Sequence, residues 1–216
     1  MYLLSKYVVF KDLISNLAVI TTILQFLSGI LVCNQYVANK TTGDASPLPF
    51  LCGVVSAELW LLYGITKHDD NIVLVNTIGV TLMMAYLAVF YIYTMKKSTI
   101  LKQISASAVI SFIILGPFLI RSFLRTGACS LTVITVGIPL VQLFHVIRVR
   151  NTACLPFPMI LMSFFVSTLW TLYGLMLIDY FIIVPNLLGA ILSALQLSLF
   201  VVYPSIPPSL NKSQIA

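Results

Sequence analysis

Long apolar runs alternate with short polar segments along the whole chain. Seven runs approach or exceed the ~20 residues that a helix needs to cross a bilayer core. They cover residues 15–36, 48–66, 71–94, 103–122, 127–147, 155–177 and 180–203. Because an open strand would leave backbone groups unpaired in lipid, each run is predicted to be a helix. The pattern therefore predicts an all-α integral membrane protein with seven transmembrane helices and no soluble catalytic domain.

Aromatic and polar positions recur at a constant offset of 110 residues. Leu59–Gly79 reads LWLLYGITKHDDNIVLVNTIG, and Leu169–Gly189 reads LWTLYGLMLIDYFIIVPNLLG. The matched pairs are Trp60 and Trp170, Tyr63 and Tyr173, Gly64 and Gly174, Asp69 and Asp179, Asn76 and Asn186, and Gly79 and Gly189. A fixed offset indicates a duplicated architecture. In an apolar chain, such pairs are typical of a transporter with its site between two halves.

The odd number of spans predicts how the two copies are joined. Three crossings end on the opposite side of the membrane, so a fourth helix returns the chain and lets the second copy insert in the same orientation. We therefore predict two parallel three-helix repeats, at 15–94 and 127–203, joined by a linker helix at 103–122. Residues 1–14 are then an extracellular N-terminus, and the proline-rich residues 204–216 a disordered cytosolic tail.

Composition and charge agree with a membrane protein. The 216 residues are 60% hydrophobic and 8% charged, with mean hydropathy +1.05, whereas soluble domains are about 25% charged. The net charge of +6 sits in the connecting loops, where Lys and Arg set orientation, and does not indicate a nucleic-acid partner. Counting basic residues on each side places the N-terminus outside and the C-terminus in the cytosol. We expect the plasma membrane, with Golgi or another internal membrane as the alternative.

Asn76 and Asn186 are the most informative polar positions inside the spans. Burying an amide in lipid costs a few kcal/mol unless it is hydrogen-bonded, so the matched pair is expected to face the other half or a watery cavity. Two uncharged amides suit a neutral polyhydroxylated substrate better than an ion. The alternative is that each Asn bonds a neighbouring helix and only holds the bundle together.

Aromatic and acidic pairs lie nearer the outer surface. Trp60 and Trp170 are interpreted either as interface-belt residues or as an aromatic wall that packs on the apolar face of a sugar ring. A Tyr hydroxyl of one half reaching an Asp of the other would form an outer latch. Alternatively, the acids only mark loop starts. The latch residues are Tyr63, Tyr173, Asp69 and Asp179.

Glu58 is the one acid inside a span, and the repeat replaces it with Thr168. An intramembrane carboxylate raises the hypothesis of proton coupling. Otherwise we expect it to be neutral and hydrogen-bonded, or in contact with span one or span three.

Prolines predict where helices bend. Pro139 and Pro185 are interpreted as interior kinks, and Pro49 and Pro156 as either hinges or harmless first-turn prolines. No span carries paired carboxylates, and no nucleophile motif, phosphate loop or metal-ligand spacing is found, so the sequence predicts no enzyme, cofactor or metal site.

In combination, several motifs closely resemble the SWEET family of sugar transporters. They are FLSGILVC at 26–33, TTGDASPLPF at 41–50, both LWxLYG blocks, HVIRVRNTACLPFP at 145–158 and LQLSLFVVYP at 195–204. The resemblance implies a bidirectional uniporter of mono- or disaccharides that works by alternating access, embedded in lipid and expected to form homo-oligomers.

The resemblance also implies residue roles. Sugar-binding positions fall on Asn76, Asn186, Trp60 and Trp170, and an outer gate falls on Tyr63 and Asp179. A proline tetrad that supports rocking falls on Pro49, Pro139 and Pro156, with Gly29 in place of the fourth proline.

Two rival functions belong to other classes. A proton-coupled amino-acid transporter of the PQ-loop type would carry Pro-Gln pairs, and this chain has none. A seven-helix cargo receptor would explain the span count but not a repeat with Asn and Trp in register.

Overall fold

The computed structural model describes residues 2–43, 45–119, 143–144, 146–152 and 155–205. Every regular element in these ranges is a helix. The helices are α1 (Tyr2–Leu27), α2 (Gly29–Asn39), α3 (Leu48–Lys67), α4 (Asp70–Tyr93), α5 (Lys97–Leu119), α6 (Phe157–Leu177) and α7 (Tyr180–Val202). Five stretches of the described chain are long and apolar enough to cross a membrane. Most of the fifth predicted span and of the C-terminal tail, including Pro139, lies outside the described residues.

Among the predicted spans that the structure describes, the first, 15–36, differs most from expectation. Its helix already begins at Tyr2, so residues predicted as an extracellular terminus are helical, and it breaks at Ser28 before α2. At the break the Ser28 hydroxyl donates to the Gln25 carbonyl at 2.6 Å. A hydroxyl that bonds back to the preceding turn bends a helix. The extension was not predicted because the charged residues Lys6, Lys11 and Asp12 interrupt the apolar run before residue 15.

The two duplicated blocks fold as helical hairpins with the same turn. His68, between α3 and α4, and Ile178, between α6 and α7, both have φ 54° and ψ 41°. In each turn the following Asp N–H donates to a Gly carbonyl, Asp69 to Gly64 at 3.0 Å and Asp179 to Gly174 at 2.9 Å. A left-handed residue is a common way to end a helix. The duplication is thus preserved in backbone conformation, even though the β-branched Ile178 rarely adopts this region.

Glycine at the end of the first helix of each hairpin permits close packing. A Cβ added to Gly64 would lie 2.9 Å from Ile72 Cγ2 and 3.0 Å from the Val73 nitrogen. One added to Gly174 would lie 3.0 Å from Ile182 Cγ2. Only a residue without a side chain allows this approach. The repeated glycines therefore set the spacing of α3 against α4 and of α6 against α7.

The chain forms two compact units, residues 22–131 and residues 1–21 with 132–216. The first has a buried core of Cys33, Phe50, Leu51, Tyr86, Leu87, Phe90 and Ile100, drawn from α2 to α5. The second buries Val146, Leu155, Ile160 and Leu199. In the second unit the Tyr7 hydroxyl donates to the Met176 carbonyl at 2.6 Å. The first helix therefore supplies residues to both units.

Candidate substrate site

Asn76 and Asn186 adopt the same geometry in their separate units. Asn76 Nδ2 donates to the Ile72 carbonyl at 2.8 Å, and Asn186 Nδ2 donates to the Ile182 carbonyl at 2.8 Å. In the part of the chain that the structure describes, each amide is thus held along its own helix. An Asn amide has two N–H donors and one acceptor oxygen. The bond uses one of the two N–H donors, and the second N–H and the oxygen are groups that suit a hydrogen-bonding ligand.

The aromatic pairs are also duplicated in geometry. Ring centroids of Trp60 and Tyr63 lie 5.6 Å apart at 81°, and those of Trp170 and Tyr173 lie 5.6 Å apart at 82°. Edge-to-face packing of this kind is favourable and fixes both rings. Trp170 is only 8% exposed, whereas a Trp of the interface belt would face lipid and headgroups. The burial of Trp170 therefore favours a role inside the protein.

The hairpins bring the Trp and the Asn of each repeat to one depth. Trp60 and Asn76 each lie about two helical turns from the turn at His68. Trp170 and Asn186 have the same relation to the turn at Ile178. Because the two helices of a hairpin run in opposite directions, these side chains share a layer of their own repeat.

Asp69 and Asp179 begin helices as N-cap residues. The Asp69 carboxylate accepts from the N–H groups of Asn71 and Ile72 at 3.1 and 3.2 Å, and that of Asp179 accepts from Phe181 N–H at 3.0 Å. Such caps satisfy backbone donors that have no partner within the helix. The predicted latch joins residues of different units and stays a prediction.

Asp179→Ala is expected to lower the free energy of unfolding by about 1 kcal/mol, because an alanine cannot cap α7. Asp179→Asn should retain stability, since an Asn oxygen also caps. Thermal unfolding in detergent measures this, with Asp70→Ala as the control because the exposed Asp70 lies one residue inside its helix. Equal stability of the Asp179→Ala and wild-type proteins would contradict the capping role.

Glu58 has a partner that the sequence did not suggest. The Ser111 hydroxyl on α5 donates to Glu58 Oε2, and Ser111 is buried. Glu58 is therefore hydrogen-bonded, as one of the alternatives expected, and its partner lies on the linker helix. In the other repeat, Thr168 donates to the Phe164 carbonyl of its own helix at 2.7 Å. Glu58 is thus a feature of one repeat.

The two predicted hinge prolines that the structure describes, Pro49 and Pro156, lie at helix starts. Pro47 is the N-cap of α3 and Pro156 is the N-cap of α6, while Pro49 lies two residues inside its helix. By helix position, the counterpart of Pro156 is therefore Pro47 and not Pro49. Prolines at these positions break no interior hydrogen bond. Pro185 is the proline inside α7, and the hinge roles remain predictions.

Comparison with known proteins gives consistent matches. A family model described as a sugar efflux transporter for intercellular exchange matches residues 12–98 and 122–207. "Sugar transporter SWEET1" of Drosophila pseudoobscura pseudoobscura is 43% identical over 202 residues, covering 89% of each chain. The protein of the same name from Xenopus tropicalis is 30% identical over 91% of this chain and 96% of its own. A solved structure of a eukaryotic SWEET transporter superposes with a TM-score of 0.80 at 25% identity, over 91% of this chain and 98% of that one.

Proposed function

Since this chain belongs to the MtN3/SWEET family, we propose that it carries mono- or disaccharides across a membrane by facilitated, bidirectional uniport. The resemblance drawn from the sequence is confirmed. The fold class is also confirmed as all-α with two three-helix repeats and a linker helix, in a 3+1+3 arrangement. The protein is an integral membrane protein.

The observation that carries the proposal is the duplicated Asn geometry. Asn76 and Asn186 are placed identically within their repeats, each in a layer with a fixed Trp. Uncharged amides exchange hydrogen bonds with sugar hydroxyls, and the indole of Trp60 or Trp170 packs on the C–H face of the ring. A neutral site of this kind binds without an accompanying ion. Alternating access then opens it to one side of the membrane at a time.

The resemblance adds the gate pair of Tyr63 and Asp179, the hinge positions and oligomerisation to the proposal, while the repeat adds Tyr173 with Asp69 and the loop charges add the orientation. Tyr63 with Asp179, and Tyr173 with Asp69, form the outer gate, while Gly29, Pro139 and the helix-start prolines Pro49 and Pro156 permit rocking. We place the N-terminus outside, the C-terminus in the cytosol and the protein in the plasma membrane. It assembles as a homo-oligomer. The relatives named above are transporters, and no catalytic role is proposed.

Purified protein in liposomes is expected to take up radiolabelled glucose downhill at a rate that does not change when a proton gradient is imposed. The physical reason is that a neutral amide site moves no charge with the sugar. Glucose uptake is compared at equal pH and under the gradient. Uphill accumulation driven by the gradient would replace uniport with proton coupling, and amino-acid flux without sugar flux would favour the PQ-loop alternative.

Glu58→Gln is the variant that belongs with this experiment. Glutamine keeps the size of the side chain and still accepts from the Ser111 hydroxyl, but it cannot carry a proton between the two sides. Under uniport the variant transports like the wild type in both conditions. Loss of a gradient effect only in the variant would identify Glu58 as a coupling residue.

A further inference from the structure

An aromatic ring from α1 reaches the layer next to Asn76 and Trp60. A Cβ built on Gly79 would lie 2.8 Å from Phe26 Cε2 and 3.0 Å from Phe26 Cζ, and 3.5 Å from the Ala57 Cβ. Phe26, Gly79 and Ala57 therefore meet at one point, between α1, α3 and α4. All of these residues belong to the compact unit of residues 22–131.

The meeting point lies one helical turn below the candidate sugar layer. Asn76 precedes Gly79 by three residues on α4, and Trp60 follows Ala57 by three residues on α3. Because α3 and α4 are antiparallel, both steps lead toward the turn at His68, by about 4.5 Å at 1.5 Å per residue. Residues three apart also share a helix face. The Phe26 ring thus lies under the Asn76 and Trp60 layer, on the side away from that turn.

Tyr86 fixes the backbone that carries this ring. Its hydroxyl donates to the Phe26 carbonyl at 3.0 Å. In an unbroken helix that carbonyl would accept from the N–H four residues later, which here lies beyond the break at Ser28. Tyr86 is 4% exposed, and its ring packs on Phe50 at 5.8 Å. A Cβ on Gly29 would lie 2.8 Å from Tyr86 Cδ2, so the glycine lets the tyrosine reach the break.

The second repeat has different chemistry at the equivalent level. A Cβ on Gly189 would lie 2.9 Å from Ser167 Oγ, and Ser167 is the repeat counterpart of Ala57. Among the described residues, the first repeat thus presents a methyl group and an aromatic ring at this level, and the second presents the Ser167 hydroxyl. The described repeat pair of Ala57 and Ser167 thus places a methyl group in one repeat and a hydrogen-bonding group in the other.

We propose that Phe26 is the floor of the sugar site in the first repeat and limits the size of the sugar that binds there. Tyr86 is a positioning residue that acts through the Phe26 carbonyl. The inference rests on the proposed transport function, since it names a specificity determinant of that site. An apolar floor packs on the C–H face of a ring and restricts the depth available below the Asn76 and Trp60 layer.

Phe26→Ala tests the floor directly in liposomes, with radiolabelled glucose and sucrose as probes. We expect glucose kcat/KM to fall about threefold to tenfold, because an aromatic contact contributes roughly that factor. Sucrose flux relative to glucose flux should rise about threefold or more, because the larger sugar gains depth. The ratio is insensitive to the amount of folded protein, so a variant that folds poorly still gives an answer. An unchanged ratio would overturn the proposal.

Gly79→Ala tests the same contact from the other helix. In the wild type the new methyl group displaces the Phe26 ring, so glucose flux falls; in the Phe26→Ala background it has room and changes flux less than about twofold. Equal fold-losses in the two backgrounds would show that Gly79 does not act through Phe26, against the proposal.

Tyr86→Phe tests the positioning role, because it removes the hydroxyl and keeps the ring in the core. Its sucrose-to-glucose ratio should shift in the same direction as that of Phe26→Ala, by a smaller factor. Tyr36→Phe is the matched control, since Tyr36 is a tyrosine of the same core whose ring packs on Phe90 at 5.5 Å. A purely structural Tyr86 would lower folded yield and leave the ratio unmoved.

Different results would contradict the transport function and the role of Phe26. A wild-type protein with no flux of either sugar would overturn the transport function itself. Wild-type glucose flux together with unshifted ratios in Phe26→Ala and Tyr86→Phe would overturn only the floor.

Discussion

Asn76→Ala and Asn186→Ala are each expected to reduce glucose uptake about a hundredfold, to background, while leaving the protein folded. Losing one partner of a buried polar contact costs roughly 1–3 kcal/mol, and a sugar hydroxyl in a closed site has no water to replace the amide. The folded state should survive because each amide bonds only its own helix in the described structure. Uptake into liposomes and thermal unfolding of the same preparations measure both parts.

Thr77→Ala is the matched control for Asn76→Ala. Thr77 is the next residue on α4, and its hydroxyl makes the same kind of bond, to the Val73 carbonyl at 2.8 Å. It is exposed on the surface of the unit, whereas Asn76 is buried. Removing Thr77 Oγ1 therefore reproduces the loss of a helix back-bond without touching the site. Full transport by Asn76→Ala, or equal loss in Thr77→Ala, would remove Asn76 from the substrate site.

Gly64→Ala is expected to destabilise the protein by about 1–3 kcal/mol, the typical effect of overpacking. The added methyl group would lie 3.0 Å from the Val73 nitrogen, and a backbone atom inside a helix cannot move away without distorting the helix. The hairpin of α3 and α4 must therefore open, and with it the layer of Trp60 and Asn76. The measurement is a thermal or denaturant unfolding curve in detergent.

Gly53→Ala separates this clash from the general effect of adding a methyl group. Gly53 lies on the same helix, and its new Cβ would also meet an atom at 2.9 Å, but that atom is the sulfur of Met83. Methionine is flexible and adapts to irregular space. Both variants gain the same helix propensity, so that contribution cancels. If Gly53→Ala lost as much stability as Gly64→Ala, the backbone contact would not be the cause.

The helices and the duplication were predictable because each depends on local pattern. Apolar run length placed α3 at 48–66 and α7 at 180–203, and the structure has Leu48–Lys67 and Tyr180–Val202. The repeat identified Asn76 and Asn186 as equivalent, and the structure gives them equal hydrogen bonds. Prediction and structure agree closely for features that residues a few positions apart determine.

Features that depend on distant partners were not predictable in this way. The break at Ser28 is supported by Tyr86, which bonds a carbonyl 60 residues earlier. The partner of Glu58 lies 53 residues later on the linker helix. Phe26 escaped comparison of the repeats because the residue at the same offset is Val136. Comparison of the two repeats identifies only residues that both repeats share, so it cannot identify a residue such as Phe26 that occurs in one of them.

The division of the first helix bears on how the chain is made. Residues 22–131 form one compact unit and emerge from the ribosome in a single stretch. Residues 1–21 belong to the other unit, and the carbonyl that binds the Tyr7 hydroxyl is synthesised 169 residues later. The part of α1 before residue 22 therefore lacks this hydrogen-bond partner until α6 has been synthesised. A nascent chain that stops after the linker helix therefore lacks the α6 carbonyl to which the Tyr7 hydroxyl donates.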